Sequence, residues 1–511
     1  MPEIKADNKK IAKNTLFLYG RMFFSLILSL YTSRVILSNL GVEDFGIYNV
    51  VGGFVSMFAF INSALVGATQ RFYNVENSQK GDEGVKKVFN VSIVVQGVLA
   101  VLLFVLLESI GIWYVNNVMV LPEERLLAAN VVFQVSAVSL LLLVFQIPFS
   151  AAIVSFERLD FYAFLGIIDV VLKFVLVLIL PFIPYDSLIV YAFLMLSINI
   201  LNFCLNFFYA RKNFKMLRYE RKFDKGLFKS MMSFSGWNFF DTFSTVLYSQ
   251  GLNMILNLFF GPVVNAARGV ANQVYGAIKG FSQNIVISFR PQLVDSYAKG
   301  DYDRTRMIMF NESKICFFML FLLSMPVMVQ IDFILKIWLG DNVPHYTNIF
   351  VQLILLKMII STFNVPFTQV VHATGNIRTF HLITSGLTIL IAPISYVFLK
   401  LGYDATVVFV ISIIISIMTQ IACVFILKGL FEYSITQYIK SVIIPCLLVA
   451  VISTALPVFL KTLVEDSFFS FIYITLLCVV ITVVVSLFLL MNASQRKQLF
   501  VFIKKKISKE Q

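Results

Sequence analysis

The sequence predicts an all-α polytopic membrane protein with about fourteen transmembrane helices, in two pseudo-symmetric six-helix lobes followed by two C-terminal helices. Three observations predict this fold: an apolar composition, long apolar runs at regular spacing, and an internal repeat. Of the 511 residues, 59% are hydrophobic and only 14% are charged, which is far from the composition of a soluble domain. The bilayer is therefore the expected solvent for most of the chain.

Apolar runs of helical length follow one another from Leu16 to Met491, with short polar breaks between them. A hydrocarbon core of about 30 Å needs roughly 20 apolar residues per helix, and continuous runs favour helices over the alternating strands of a barrel. The predicted spans are residues 16–38, 46–70, 88–112, 127–153, 161–181, 187–209, 230–260, 263–289, 310–332, 348–372, 379–399, 405–427, 439–460 and 468–491.

The distribution of basic residues over the predicted loops gives the orientation. One side of the membrane carries thirty Lys and Arg residues and the opposite side carries four. Because cytoplasmic loops are enriched in Lys and Arg, both termini are expected in the cytoplasm. The formal net charge of +13 follows from this topology and from contact with anionic lipids, so no nucleic acid partner is expected.

The two halves of the sequence resemble each other in the same order along the chain, at an offset of about 219 residues. The matched segments are Gly41 with Gly261, Lys80–Asp82 with Lys299–Asp301, and Phe145–Phe149 with Phe363–Phe367. The predicted domains are an N-lobe over residues 1–210, a cytoplasmic linker over 211–229, a C-lobe over 230–428, and the last two helices with a basic cytoplasmic tail over 429–511. Parallel repeats of this kind are typical of transporters that work by alternating access.

Ionisable residues inside predicted spans are candidate functional residues, since each costs about 2.5 kcal/mol or more at a helix centre. Asp169 and Lys173 are four residues apart and predict a structural ion pair. Predicted helix 8 has a polar stripe at spacings of three and four residues, and helix 7 has a second. The candidate binding residues are Arg21, Arg34, Asn238, Asp241, Arg268, Asn272, Tyr275 and Lys279.

The sequence offers no pattern for a catalytic or metal centre. The five cysteines lie in apolar runs without CxxC spacing, and the three histidines are scattered, so no metal site is predicted. No GxSxG, Walker or HExxH motif occurs, and we expect a transporter without a cofactor rather than an enzyme. In the absence of a nucleotide site, the driving force is expected to be a Na⁺ or H⁺ gradient, the gradient of the substrate itself, or removal of the product.

Three segments carry a resemblance to a known family: Asn14–Gln70, which includes the turn Asn39–Tyr48, Ile334–Gly340 and Ala373–Asn376. With the arginine of predicted helix 1, they resemble the bacterial polysaccharide exporters and O-antigen flippases. These belong to the superfamily that also contains the multidrug extrusion antiporters and the lipid II flippase. The resemblance covers essentially the whole chain, but it does not identify the glycan.

This resemblance implies two lobes around a central cavity lined by helices 1, 2, 7 and 8. It implies movement of an undecaprenyl-pyrophosphate-linked oligosaccharide to the periplasmic leaflet, with that substrate, membrane lipids and glycan polymerases as partners. Arg268 matches an arginine in helix 8 of the lipid II flippase. The preferred hypothesis is that Arg21 and Arg268 bind the pyrophosphate, because a guanidinium offers planar, bidentate donors to phosphate oxygens.

Three alternatives stay open. In the first, these arginines only pair with Asp241 and stabilise the contact of the lobes. In the second, the chain is an ion-coupled multidrug or small-molecule antiporter of the same superfamily, although basic residues outnumber Asp241 among the candidates and favour an anionic substrate. The third, a glycan polymerase or ligase, is disfavoured because no predicted outer loop exceeds about fifteen residues.

Overall fold

The computed structural model describes the backbone of residues 2–156, 158–221, 223–374, 378–465, 467–493 and 496–497. It describes the side chains of these residues except those of 2–26, 59–64, 67–68, 78, 159–160, 162–163, 233–242, 281–288, 290–292, 294–295 and 298. Every regular element in this part of the chain is helical, and it contains no strand. The all-α class predicted from the apolar runs is therefore confirmed.

The helices are α1 (Pro2–Ser56), α2 (Phe60–Leu106), α3 (Ile112–Asn117), α4 (Leu126–Ser155), α5 (Leu159–Ile179), α6 (Ser187–Asn213), α7 (Lys225–Phe260), α8 (Pro262–Ala298), α9 (Tyr302–Val329), α10 (Ile331–Leu339), α11 (Thr347–Ser361), α12 (Asn364–Thr374), α13 (Arg378–Lys400), α14 (Val407–Leu430), α15 (Ile435–Tyr438), α16 (Ile444–Lys461) and α17 (Phe468–Leu489). Single π-helical turns at Leu107–Gly111 and Ile439–Ile443 join α2 to α3 and α15 to α16.

Nine helices within the described residues are long and apolar enough to cross a membrane. They correspond to predicted spans 3 to 6, 9 and 11 to 14. Helices α11 and α12 meet at a bend of 40° and together give a tenth, broken span at the place of predicted span 10. The other four predicted spans fall in α1, the first part of α2, α7 and α8, each of which includes side chains outside the described set. The total of fourteen therefore stays a prediction.

The predicted repeat is visible in the backbone conformation of its glycines. Gly41 has φ 77° and ψ 173°, and its repeat partner Gly261 has φ 73° and ψ −170°. The second pair, Gly81 and Gly300, also has positive φ, at 58° and 73°. A positive φ with ψ near 180° is essentially restricted to glycine, because a Cβ atom would collide with the backbone. The same sharp turn is thus built at matching places in the two halves of the sequence.

The helices form two compact units. Unit 1 consists of Met1–Gly269, Asp341–His345 and Ala392–Ala405, and unit 2 consists of Val270–Gly340, Tyr346–Ile391 and Thr406–Gln511. Helices α8 and α13 contribute residues to both units. The division of the chain at a linker over residues 211–229 stays a prediction.

In unit 1, α4 packs against α2 and α6, and α1 packs against α4 and α5. The segment between α6 and α7 belongs to this packing, since Phe214 and Leu217 are buried in the core beside Phe149. The backbone N–H of Glu220 donates to Asn90 Oδ1 at 2.9 Å, and the Glu220 carboxylate pairs with the ammonium group of a lysine on α2. The segment is therefore anchored to unit 1 by apolar burial and by charge.

An ion triad joins three helix ends at the predicted outer face of unit 1. Arg125 Nε donates to Asp44 Oδ1 at 2.7 Å, and Arg125 Nη1 donates to Asp186 Oδ2 at 2.5 Å. Burial raises the pKa of Asp44 above its ordinary value, against the effect of Arg125. Burial acts in the same direction on Asp186, but Arg125 and the N–H groups of Leu188 and Ile189 outweigh it and hold that pKa below its ordinary value. One guanidinium thus fixes the starts of α4 and α6 against the turn in α1.

In unit 2, α9 packs against α11, α12, α16 and α17 around an apolar core that includes Phe317, Phe321 and Phe367. Four cysteines contribute to the interior of this unit and are buried: Cys316, Cys423, Cys446 and Cys478. The fifth, Cys204, is half-buried in unit 1, and all five carry free thiols. Their burial agrees with their positions inside apolar runs of the sequence.

A substitution at Gly41 tests the backbone conformation of the repeated turn. Gly41→Ala is expected to destabilise the protein by about 1–3 kcal/mol, because alanine adopts this positive φ only with backbone strain. Gly52→Ala, in the regular part of α1, is the matched control. Neither added Cβ meets another atom within 4 Å, so the two variants differ in backbone conformation alone. Thermal unfolding in detergent measures both, and equal melting temperatures would contradict the strained turn.

Candidate functional site

A cluster of polar side chains, the amide cluster, lies in unit 1 where α1, α7 and α8 meet; its members are Ser56, Gln250, Asn253, Asn265 and Arg268. Arg268 is only 3% exposed, and one of its Nη atoms donates to Asn253 Oδ1. Asn253 Nδ2 donates to Gln250 Oε1 at 2.7 Å, and Gln250 Nε2 donates to Ser56 Oγ at 2.9 Å. Asn265 Nδ2 donates to the Asn253 carbonyl at 2.8 Å. The cluster thus connects all three helices through hydrogen bonds.

Glycines allow the close packing that the amide cluster needs. A Cβ atom on Gly53 would lie 2.7 Å from Gln250 Oε1, and one on Gly269 would lie 2.9 Å from Asn49 Nδ2. At Gly46, a Cβ atom would come within 1.9 Å of the Pro262 carbonyl oxygen. The backbones of α1 and α8 therefore approach at Gly46 more closely than any other residue would permit.

The charge of Arg268 has no carboxylate partner among the described residues. Its polar partner there is the neutral amide of Asn253, and its Nε atom is buried without a hydrogen-bond partner. Burial of a guanidinium costs several kcal/mol, and a neutral amide offsets only part of that cost. The side chain of Asp241 lies outside the described set, so the alternative of an Arg268–Asp241 pair stays open. Within the described part, the site is a buried cation with unused donor capacity.

A model of the family described as "Polysaccharide biosynthesis protein" matches residues 11–331, which is more than half of the chain and includes the whole amide cluster. The chain belongs to the polysaccharide biosynthesis protein family. The match includes the turn at Asn39–Tyr48 and confirms the family resemblance inferred from the sequence.

One curated relative is the "Uncharacterized membrane protein EpsK" of Bacillus subtilis (strain 168), which is 22% identical over 286 residues. The alignment covers 55% of this chain and 55% of that protein, so the chain matches about half the length of the relative.

Two solved structures show the fold of this family member. The lipid II flippase MurJ aligns with a TM-score of 0.67 and 15% identity, over 92% of this chain and 98% of that chain. An inward-facing multidrug resistance MATE family transporter of the MOP superfamily aligns with a TM-score of 0.65 and 13% identity, over 79% and 95% of the two chains. This member of the polysaccharide biosynthesis family is therefore a multi-pass membrane protein with the helical fold of these transporters.

The predicted site residues lie in different environments. Arg21, Asn238 and Asp241 have side chains outside the described set. Arg34 is exposed on α1. In unit 2, Asn272 and Lys279 are exposed and Tyr275 is half-buried, with Lys279 Nζ 5.3 Å from the centre of the Tyr275 ring. The polar stripe of α8 is thus buried at Arg268 and exposed farther along the helix.

The predicted ion pair between Asp169 and Lys173 is present on α5, with Lys173 Nζ 2.7 Å from Asp169 Oδ2. Asn202 on α6 adds a hydrogen bond of 2.9 Å to Asp169 Oδ1. The carboxylate is therefore neutralised and hydrogen-bonded, which agrees with a structural role.

Several polar residues of the interior do not appear among the sequence candidates. Gln250, Asn265 and Ser56 carry no charge, so the cost of burying a charge does not point to them. Glu312 on α9 is buried, although it lies only two residues inside the predicted span 310–332. An ionisable residue within a predicted span is the signal that could have found it. His372 and His381 also come together, with ring centres 5.5 Å apart, although their spacing in the sequence does not predict it.

Removal of the Asn253 side chain tests the amide cluster. Asn253→Ala is expected to destabilise the protein by about 1–3 kcal/mol, because the buried guanidinium loses its acceptor. The control is Asn213→Ala, an exposed amide that bonds only its own helix at Tyr209 O, with an expected change within about 0.5 kcal/mol. Thermal unfolding measures both variants. Additive effects of Asn253→Ala and Arg268→Met in the double variant would contradict the contact.

Proposed function

We propose that this protein is a flippase that moves an undecaprenyl-pyrophosphate-linked oligosaccharide, such as a repeat unit of O-antigen, capsule or exopolysaccharide, from the inner to the outer leaflet. The family supplies the connection to polysaccharide biosynthesis, and the solved structures supply a transporter fold. The observation that carries the proposal is Arg268, a buried guanidinium whose polar partner among the described residues is a neutral amide. Such a group is suited to bind an anion.

The pyrophosphate is the part of this substrate that Arg268 would recognise. Two adjacent phosphates present several oxygens with negative charge, and a guanidinium donates to two of them at once. Asn253 orients Arg268 in the described conformation, and exchange of this amide for a phosphate oxygen replaces a neutral acceptor with a charged one. Arg21 is proposed as a second phosphate ligand, and Arg34, Asn238, Asp241, Asn272, Tyr275 and Lys279 as further substrate contacts.

The flippase is placed in the bacterial inner membrane with both termini in the cytoplasm, as the basic residues of the loops predict. It is proposed to work by alternating access, and glycan polymerases on the outer face are its proposed partners. An ion-coupled multidrug antiporter is the second candidate, since a multidrug resistance transporter shares the fold. The excess of basic over acidic candidates supports the anionic substrate against it.

Reconstitution into liposomes tests the flippase. A labelled undecaprenyl-pyrophosphate oligosaccharide is placed in one leaflet, and its arrival in the other is followed by access to an external modifying enzyme. Arg268→Ala is expected to slow transfer about tenfold or more, since a charge-assisted hydrogen bond contributes about 1.5–3 kcal/mol. Arg268→Lys keeps the charge and should retain part of the rate.

Arg221→Ala is the control, because it removes one positive charge from an exposed position in the segment between α6 and α7. It is expected to transfer substrate at the rate of the unmodified protein. Full transfer by Arg268→Ala would exclude the pyrophosphate role. Gradient-driven uptake of a cationic drug, without transfer of the lipid-linked sugar, would favour the antiporter instead.

A further inference from the structure

A buried acid in unit 2 has no part in the proposed substrate site. Glu312 lies on α9, within one of the nine candidate spans, and is 0% exposed. Gln369 Nε2 on α12 donates to Glu312 Oε1 at 2.7 Å. The other carboxyl oxygen, Oε2, is buried and has no hydrogen-bond partner in the part of the chain that the structure describes. One neutral amide is thus the polar contact of this carboxyl group.

No basic group neutralises Glu312 within the described residues. The Lys314 ammonium group, two residues along α9, donates to the Leu490 carbonyl at 3.4 Å, and Lys461 Nζ donates to Gln330 Oε1 at 2.8 Å. Cys316 is one turn from Glu312 and also buried. The other ionisable groups on α9 and on the elements packed against it are Tyr302, Asp303, Arg304, Arg306, Asp332, Lys336, Lys357, His372, Tyr438, Lys440, Cys446, Tyr473 and Cys478.

A carboxylate in this environment is costly. Transfer of an ion from water to a protein interior costs several kcal/mol even after relaxation, and a single amide donor does not offset that cost. A neutral carboxylic acid has no charge to desolvate, and its carbonyl oxygen still accepts the Gln369 hydrogen bond, although more weakly than a carboxylate would. Among the described residues, no group other than Gln369 donates a hydrogen bond to this carboxyl group. The contacts therefore fit the protonated acid.

The Glu312–Gln369 contact lies at the broken span. Helix α12 begins directly after the 40° bend that separates it from α11, and Pro366 lies in its first turn. Gln369 is on this short segment, so its hydrogen bond to Glu312 joins the segment to α9. The first half of the sequence lacks this contact: in the aligned motif of α4, Ala151 takes the place of Gln369. The matched position of the first half therefore cannot supply this amide.

We propose that Glu312 is a proton-binding site, at which the neutral acid holds the bent segment α12 against α9 and loss of the proton releases it. Proton uptake converts the carboxylate into a carboxylic acid. Loss of the proton leaves a buried carboxylate with one amide donor, and the cost of burying this charge favours separation of α12 from α9, which lets water reach the carboxylate. The coupling of this step to transport rests on the proposed flippase function, whereas the protonation of Glu312 in the described conformation does not.

Infrared spectroscopy of the full-length protein in lipid nanodiscs tests the proton site without a transport assay. At neutral pH, the unmodified protein should show a carboxylic acid C=O band that shifts in D₂O, and Glu312→Gln should lose it. Glu108→Gln is the matched control, because Glu108 also accepts a glutamine hydrogen bond, from Gln134 at 3.2 Å, but is partly exposed. This control should keep the C=O band that Glu312→Gln loses.

Gln369→Leu removes the hydrogen bond and keeps the acid, so it should retain the C=O band and shift its frequency. If Gln369→Leu keeps the C=O band, the loss of that band in Glu312→Gln cannot be attributed to a general loss of structure at the contact. The proposal is overturned if Glu312→Gln keeps the C=O band and loses carboxylate absorption instead. It is also overturned if Na⁺ at constant pH changes a carboxylate band assigned to Glu312, because the site would then bind a monovalent cation.

The coupling is tested with the liposome assay under a pH gradient. The unmodified protein and Glu108→Gln should transfer the lipid-linked oligosaccharide at a rate that responds to the gradient, and Glu312→Gln should lose that response. An equal response of Glu312→Gln would overturn the coupling. Absence of transfer by the unmodified protein would instead count against the flippase function, and the infrared result would still decide whether Glu312 binds a proton.

Discussion

The cost of an uncompensated charge in an apolar interior is the constraint on which the polar chemistry of this protein depends. Three ionisable groups differ in how far their neighbours offset this cost. The carboxylate of Asp169 is paired with Lys173 on the same helix. Arg268 keeps its charge with an amide as its polar partner among the described residues, and Glu312 has a single amide donor. The first arrangement compensates its charge, whereas Arg268 Nε and Glu312 Oε2 are buried without a hydrogen-bond partner among the described residues.

Much of the fold can be predicted from the sequence, because in a bilayer only helices and closed barrels satisfy the hydrogen bonds of the backbone. Long apolar runs without alternation predict helices, and ten of the fourteen predicted spans correspond to candidate spans in the described residues if α11 and α12 are counted as one. The division into two units is harder to predict from the sequence. It depends on which helices pack together, and hydropathy does not predict that α7 packs against α1 and α2 in unit 1.

For the candidate site too, the sequence identifies a charged residue but not the side chains that pack against it. The sequence identifies Arg268 as a candidate because a charge within an apolar run is unusual. The Asn253 partner and the bond from Gln250 to Ser56 depend on a close approach of helices at Gly53 and Gly269, which no local pattern specifies. Uncharged amides are common on helix faces, so their role appears only when the packing brings them together.

The two halves of the chain share backbone conformation but not polar chemistry. Gly41 and Gly261 have nearly the same φ and ψ, since a turn of this kind is fixed by backbone sterics and tolerates only glycine. At the matched prolines the environments differ: the Pro148 carbonyl accepts a hydrogen bond from Tyr73 Oη at 3.2 Å, whereas the segment at Pro366 is bent and is joined to α9 through Gln369. A repeat that is constrained at its turns leaves its interior positions open to change. The polar groups that differ between the halves are therefore where a function beyond the shared scaffold can arise.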